Sequence, residues 1–272
     1  MSAVCTPSRA EPTRSATDAR DRELFPNTGG RTGVNDGDPI PTGCDPVDDL
    51  LGSGLERGTV TQVYGPPAAG KTNLALAAAV EVAAAGGTVV YVDTEGLSID
   101  RFEQLAEARV RDEEGTGVED LASRVVIESA HDFDEQAEAV RDAEEFAERA
   151  SLIVLDSATG FYRLERAADE REGDALRQVT QQITHLLSLA RRYDLAVVIT
   201  NQVFTDPESD GVRALGGNTL EHWTGTVLRL ERFRGGNRRA TLEKHRSKAA
   251  GESARFRITD EGLVGVDDPA TP

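Results

Sequence analysis

Val60-Thr61-Gln62-Val63-Tyr64-Gly65-Pro66-Pro67-Ala68-Ala69-Gly70-Lys71-Thr72 is the stretch that decides the fold. Its first five residues read as a buried strand, and its end opens an Ala/Leu-rich helix expected from about Thr72 to Ala85. Between them lies a turn of the form G-x-x-x-x-G-K-[ST]. In that setting backbone N–H groups converge at the positive end of a helix, which is what phosphate oxygens require. Pro66 and Pro67 carry no N–H, so the cradle falls to the amides of Ala69, Gly70, Lys71 and Thr72, with Gly65 and Ala68 completing the loop. Lys71 would place its charge between the β- and γ-phosphates, and the Thr72 hydroxyl would take a position on Mg²⁺. ATP and Mg²⁺ are the expected ligands.

Strand and helix signals alternate outward from this stretch. Strands are expected at Thr88–Val92, Val125–Ile127, Leu152–Leu155 and Leu195–Thr200, and helices at about Asp100–Arg109, Phe133–Ala150 and Asp174–Arg192. After Thr224 the pattern changes to short strands, Thr226–Phe233, Arg239–Lys244 and Ala254–Ile258, with Gly235-Gly236-Asn237 as a hairpin turn. The fold class that follows is α/β, a mostly parallel sheet with helices on both faces, extended by antiparallel strands near the C-terminus.

The 272 residues carry 30 basic and 48 acidic side chains, a net charge of −18, and only three of the basic residues are lysine. Such acidity suits a salt-rich cytoplasm, where screening removes most of the self-repulsion. Two cysteines exclude a disulfide framework, and no apolar run approaches the roughly 20 residues of a membrane span, so a cytoplasmic protein without membrane partners is expected. Residues 1–37 lack periodicity and balance five arginines against five acids. They read as a disordered extension or a misannotated leader, with Val34 as an alternative start, ahead of a core at 38–266 and a disordered tail at 267–272.

Three strand ends carry further polar residues. Asp156 closes Leu152–Leu155, where a carboxylate would meet the Mg²⁺ shell. In Asp93-Thr94-Glu95-Gly96, Glu95 is placed to polarise an attacking water, while Asp93 and Thr94 read equally well as caps. Gln202, after Leu195–Thr200, could sense a γ-phosphate or merely satisfy a turn. The four histidines show no metal-ligand spacing.

Taken in order and spacing, GPPAAGKT, YVDTEG, LIVLDS and VITNQV resemble the RecA/RadA recombinase superfamily, most closely the short archaeal paralogues of the RadA recombinase, over residues 39–266. The acidic, lysine-poor composition fits a halophilic member. The resemblance implies an ATP-binding, weakly hydrolysing accessory of RadA in DNA repair and recombination. It makes Glu95 the water-activating residue, Gln202 the γ-phosphate sensor and Arg101 an adenine contact. It also makes Ser157–Gly173 the first DNA-binding loop, in which Arg163, beside Phe161 and Tyr162, would meet phosphate; aromatics beside arginine suit single-stranded DNA better than duplex. The chain departs from full recombinases in lacking a helix-hairpin-helix domain and a Phe-x-x-Ala linker motif, since Phe25 is followed by Pro26-Asn27-Thr28. Its second loop, Val203–Gly216, carries Asp206, Glu208 and Asp210, so autonomous strand exchange is not expected.

Residues 229–248 hold eight basic side chains against two acidic ones. They straddle a hairpin, so several could share one face for DNA or an acidic partner, with Arg229, Arg238 and Arg239 as the expected DNA contacts, or else pair with acids on neighbouring strands. Lys244-His245-Arg246 resembles the Lys-x-Arg fingers that some RecA relatives push onto a neighbour's γ-phosphate. Two residues apart on one strand, Lys244 and Arg246 would point the same way and act across an interface between like subunits. The alternative functions are a KaiC-like signalling ATPase or autokinase and a metabolic phosphotransferase; the latter should carry a mobile lid, and none is inserted between the core elements.

Overall fold

The phosphate-loop strand β1 (Val60–Tyr64) stands in the middle of a nine-stranded sheet, buried along its whole length. The computed structural model of the chain describes residues 37–111, 116–161, 172–205, 212–215 and 217–266. Nearly all of the expected extension, the 267–272 tail, Arg163, and Asp206, Glu208 and Asp210 lie outside these residues.

In chain order, α1 (Asp45–Leu51) precedes β1, and α2 (Lys71–Ala84), β2 (Thr88–Asp93), α3 (Ile99–Val110), α4 (Val118–Ala122) and β3 (Val125–Ser129) follow it. Next come α5 (Phe133–Asp142), α6 (Glu144–Ala147), β4 (Ala150–Asp156), α7 (Glu172–Tyr193) and β5 (Ala196–Asn201). A two-stranded ribbon, β6 (Val203–Thr205) with β7 (Val212–Ala214), leads to α8 (Gly217–Trp223) and then to β8 (Thr226–Arg232), β9 (Asn237–Lys244), β10 (Ser253–Thr259) and β11 (Gly262–Gly265). The large sheet runs β11-β10-β9-β8-β1-β5-β4-β2-β3. Its pairs from β8 through β3 are parallel, and those among β8, β9, β10 and β11 are antiparallel. The expected class is thus the observed one.

Alternation along the parallel strands feeds two cores. Val63, Val89, Tyr91, Leu152, Val154 and Val198 face α1, α2, α3 and α4; Val60, Val90, Val92, Ile153, Leu155 and Val197 face α5, α6 and α7. Burial on both faces explains why these strands read as unbroken apolar runs. The antiparallel strands differ. Leu228, Leu230, Ala240, Leu242 and Phe256 pack on the α2 side, whereas Arg229, Glu231, Arg239, Thr241 and Glu243 occupy the opposite face and are only partly buried.

Several elements depart from the sequence reading. The helix expected over 133–150 divides at Ala143 into α5 and α6, and Ala150 already belongs to β4. Its acidic second half buries chiefly Ala143 and Ala147, too little apolar surface to hold a long helix on the sheet. The turn expected at Gly235-Gly236-Asn237 is a single 3₁₀ turn, Arg234–Gly236, and Asn237 starts β9. The short α1, α4, α8 and β11 were not expected; their few residues are too short to show a period.

Beside α1, the Asp48 carboxylate accepts the Thr42 N–H at 2.8 Å, and burial, reinforced by Asp45 and Glu81, pushes its pKa from 3.8 up to about 6. The folded state therefore favours protonated Asp48: its contribution to stability is complete below pH 3.8 and is lost as pH rises through about 6. Asp48→Asn is expected to gain on the wild type between pH 5 and 7.5 in thermal unfolding at molar salt, whereas parallel melting profiles would contradict this placement.

Candidate functional site

The carboxyl-terminal ends of β1, β5, β4 and β2 open onto one side of the phosphate loop. The loop itself begins in a close approach: a β-carbon on Gly65 would stand 2.3 Å from the Leu230 carbonyl oxygen of β8, so only glycine fits there. It ends at Gly70, whose φ of 106° is left-handed, and α2 starts at the next residue. Lys71 is buried, and its Nζ donates to the Gly65 and Pro66 carbonyls at 3.0 and 3.3 Å. Burial lowers its pKa from the usual lysine value, and Glu95 and Asp156 oppose that fall.

Asp156 is 2% exposed, and its carboxylate is surrounded by hydroxyls: Tyr91 Oη donates at 2.8 Å, and Thr200 Oγ1 and Thr72 Oγ1 also hydrogen-bond to it. Burial raises its pKa above the ordinary aspartate value, and these three hydrogen bonds counter the rise. Thr72 and Asp156, placed apart in sequence, thus meet as a pair of hard oxygen ligands suited to Mg²⁺ beside the phosphate cradle. Tyr91 was missed. A tyrosine inside the apolar run Val89–Val92 was the available signal, because a buried phenol needs a partner.

Glu95 and Gln202 also come together. Glu95 Oε1 accepts from Gln202 Nε2 at 2.8 Å and from Ser157 Oγ at 2.8 Å, so one carboxylate touches the first residue of one expected DNA-binding segment and the residue just before the other. Asp93 takes the capping role, accepting the N–H groups of Glu95, Gly96 and Leu97 at 3.1, 3.0 and 2.6 Å. Thr94 accepts the Ser157 N–H at 2.8 Å. Thr159 ties the segments again, accepting the Gln202 N–H at 3.2 Å and donating to Asn201, whose Nδ2 reaches the Leu215 carbonyl at 2.7 Å. Ser157 and Thr159 were not singled out in the sequence, although Ser157 adjoins the Asp156 motif.

On the other side of the loop, Arg101 donates from Nε to Asn73 Oδ1 on the first turn of α2 at 2.8 Å and from Nη1 to the Asp260 carbonyl at 3.3 Å. This puts it beside the loop, where a contact to a bound base is open to it.

The basic hairpin does not form one face. Arg229 lies between acids, Nε 3.2 Å from Glu243 and Nη2 3.6 Å from Glu231, and Tyr64 Oη donates to Glu243 at 2.5 Å. It is a paired rung of the sheet. Arg239 shares that face, directly opposite Glu231 and Arg255, with its guanidinium 4.6 Å from the Phe233 ring centroid. Arg238 points to the opposite face, towards α2, because strand alternation separates neighbours. The expectation that Lys244 and Arg246 extend from one strand is likewise corrected: β9 ends at Lys244, and Arg246 lies beyond it. Lys244 Nζ donates to the Glu221 and Thr224 carbonyls at 2.5 and 2.7 Å, closing the C-terminus of α8. Arg246 is exposed and lines a cleft with Arg191, Trp223 and His245.

The Rad51 family profile matches residues 39–268. The chain is 66% identical over 233 residues to the DNA repair and recombination protein RadB of Halobacterium salinarum, covering 84% of this chain and 97% of that one. It is 43% identical over 226 residues to the protein of the same name from Archaeoglobus fulgidus, covering 82% and 97%. A crystal structure of the RadB recombinase superposes with a TM-score of 0.72 at 36% identity, covering 84% of this chain and all of that one.

Removing the Tyr91 hydroxyl would leave a buried carboxylate short of a donor. Tyr91→Phe is expected to lower unfolding stability by roughly 1.5–3 kcal/mol, the range for hydrogen bonds to charged groups, read by urea titration in molar salt. An unchanged midpoint would show that Asp156 does not depend on this bond.

Proposed function

This chain belongs to the Rad51 family, and from that we propose that it binds ATP with Mg²⁺ on Gly65–Thr72 and serves DNA repair and recombination as an accessory of the RadA recombinase. The observation that carries the reading is the convergence of Lys71, Thr72, Asp156, Glu95 and Gln202 from four separate strand ends onto one loop. Phosphoryl transfer needs such parts: a cation and inward amides for the phosphates, hard oxygens for the metal, and a carboxylate to orient water. Bound Mg²⁺ would neutralise charge on the transferring phosphate. Lys71 holds the phosphates, Thr72 and Asp156 hold the metal, Glu95 orients the water, and Gln202 reports the γ-phosphate to the segment that follows it. Family membership favours recombination over KaiC-like signalling.

DNA is the expected macromolecular partner, single-stranded in preference to duplex. Arg239 beside the exposed Phe233 supports this, since a cation next to an aromatic matches a phosphate next to a base. Hydrolysis is slow in a lone subunit because the charge clamp is completed in trans by Arg246 of a like subunit. The ammonium of Lys244 is already held by two carbonyls and serves chiefly to position the neighbouring turn.

Lys71→Ala should abolish binding of a fluorescent ATP analogue in molar salt while leaving the fold intact; unchanged affinity would overturn the loop's assignment. Mixing Lys71→Ala with Arg246→Ala subunits tests the trans role. Recovery of ATPase activity by the two inactive proteins is expected, and no recovery under conditions where the wild type assembles and hydrolyses would refute it.

A further inference from the structure

Arg238 stands at the phosphate loop. A β-carbon added at Gly70 would lie 3.7 Å from Arg238 Nε, 3.9 Å from its Cδ and 2.9 Å from Ile258 Cδ1, so the arginine stem and Ile258 form a wall directly over the residue that precedes Lys71. The guanidinium is anchored on one edge only: Nη1 donates to the Gly236 carbonyl, while the buried Nε finds no hydrogen-bond acceptor among the described residues. Arg232 sits directly opposite it on β8. Two like charges facing each other across a ladder are unfavourable unless an anion joins them. Burial and Arg232 accordingly lower the Arg238 pKa from the usual arginine value.

The wall continues past Ile258 to Asp260, whose carbonyl accepts from Arg101 Nη1, and Arg101 returns to Asn73 on α2. Arg101 Nη2 is a second buried donor that finds no acceptor among the described residues. Both orphaned donors therefore flank the amino-terminal turn of α2. In the sheet, Arg238 and Ile258 come from β9 and β10 on one side of β1, whereas Asp156 ends β4 and Gln202 and Glu95 follow β5 and β2 on the other.

Building on the proposed nucleotide reading, we propose that Arg238 is a nucleotide-binding residue of its own subunit, donating to the α- and β-phosphate end of the ligand rather than to DNA. The anion satisfies the free edge of the guanidinium and separates it from Arg232, as charge-assisted bonds from a planar fork do. Because Arg238 lies across β1 from the γ-phosphate machinery, ADP and ATP depend on it equally.

The test titrates fluorescent analogues of ADP and ATP, each with Mg²⁺ in molar salt, against wild type, Lys71→Ala, Arg238→Gln and Arg238→Lys, with folding of each checked by thermal unfolding. Arg238→Gln is expected to weaken both nucleotides by about tenfold, the loss of one charge-assisted bond. Arg238→Lys, which keeps the charge and the stem, should fall between, and single-stranded DNA affinity should stay at the wild-type value. Wild-type binding lost in Lys71→Ala but unchanged in both Arg238 variants overturns this assignment alone. Loss of DNA affinity with intact nucleotide affinity returns Arg238 to the DNA surface and also overturns it. Failure of the wild type to bind either nucleotide instead removes the nucleotide reading on which it rests.

Discussion

A carboxylate with almost no access to water, Asp156, is the constraint around which the site is arranged. Its burial would be prohibitive if unanswered, and the answer comes from three hydroxyls on three different elements, Tyr91 of β2, Thr200 of β5 and Thr72 of α2. Each bond fixes the end of its element relative to β4. The strand ends are thereby held in register with the start of α2, and the phosphate loop between β1 and α2 has its far anchor set. Neighbouring Glu95, exposed and held among the described residues by Ser157 and Gln202, lacks such enclosure and is the residue better placed for chemistry.

The two sides of β1 divide the labour. Towards β5, β4 and β2 the polar side chains are acids, amides and hydroxyls, suited to a metal and a water. Towards β8, β9 and β10 the α2 face carries Arg238 and an aliphatic wall, suited to the rest of a nucleotide, while the other face mixes Arg229 and Arg239 with Glu231 and Glu243. The basic stretch is one segment in sequence but two surfaces in space, because a strand sends successive side chains to opposite faces. In a chain of net charge −18, placing arginines on both faces of one hairpin concentrates attraction for phosphate in a small region.

The parallel half of the fold was legible because its strands are apolar on both faces and its helices long enough to show a period. Asp156, Thr72, Glu95 and Gln202 were legible for the same reason, each sitting where a readable strand or helix ends. What escaped was short or three-dimensional. The seven residues of α1 span barely two turns, Tyr91 is hidden by the apolar letters around it, and the two faces of β9 depend on a register no linear pattern states. Lys244 and Arg246 show the same limit: their spacing was right for one face, but the strand stops between them.

That strand joins two places that look unrelated in the chain. Arg238 near one end of β9 abuts the phosphate loop, and Lys244 at the other holds the last turn of α8, which follows the segment after Gln202. The six residue steps between them span about 20 Å at the usual rise of a strand. β9 pairs with β10 from Asn237 to Thr241 and with β8 as far as Lys244, with a shift of register between Val227 and Leu228. The loop expected to cradle phosphate and the turn that closes α8 thus have one strand as their common support.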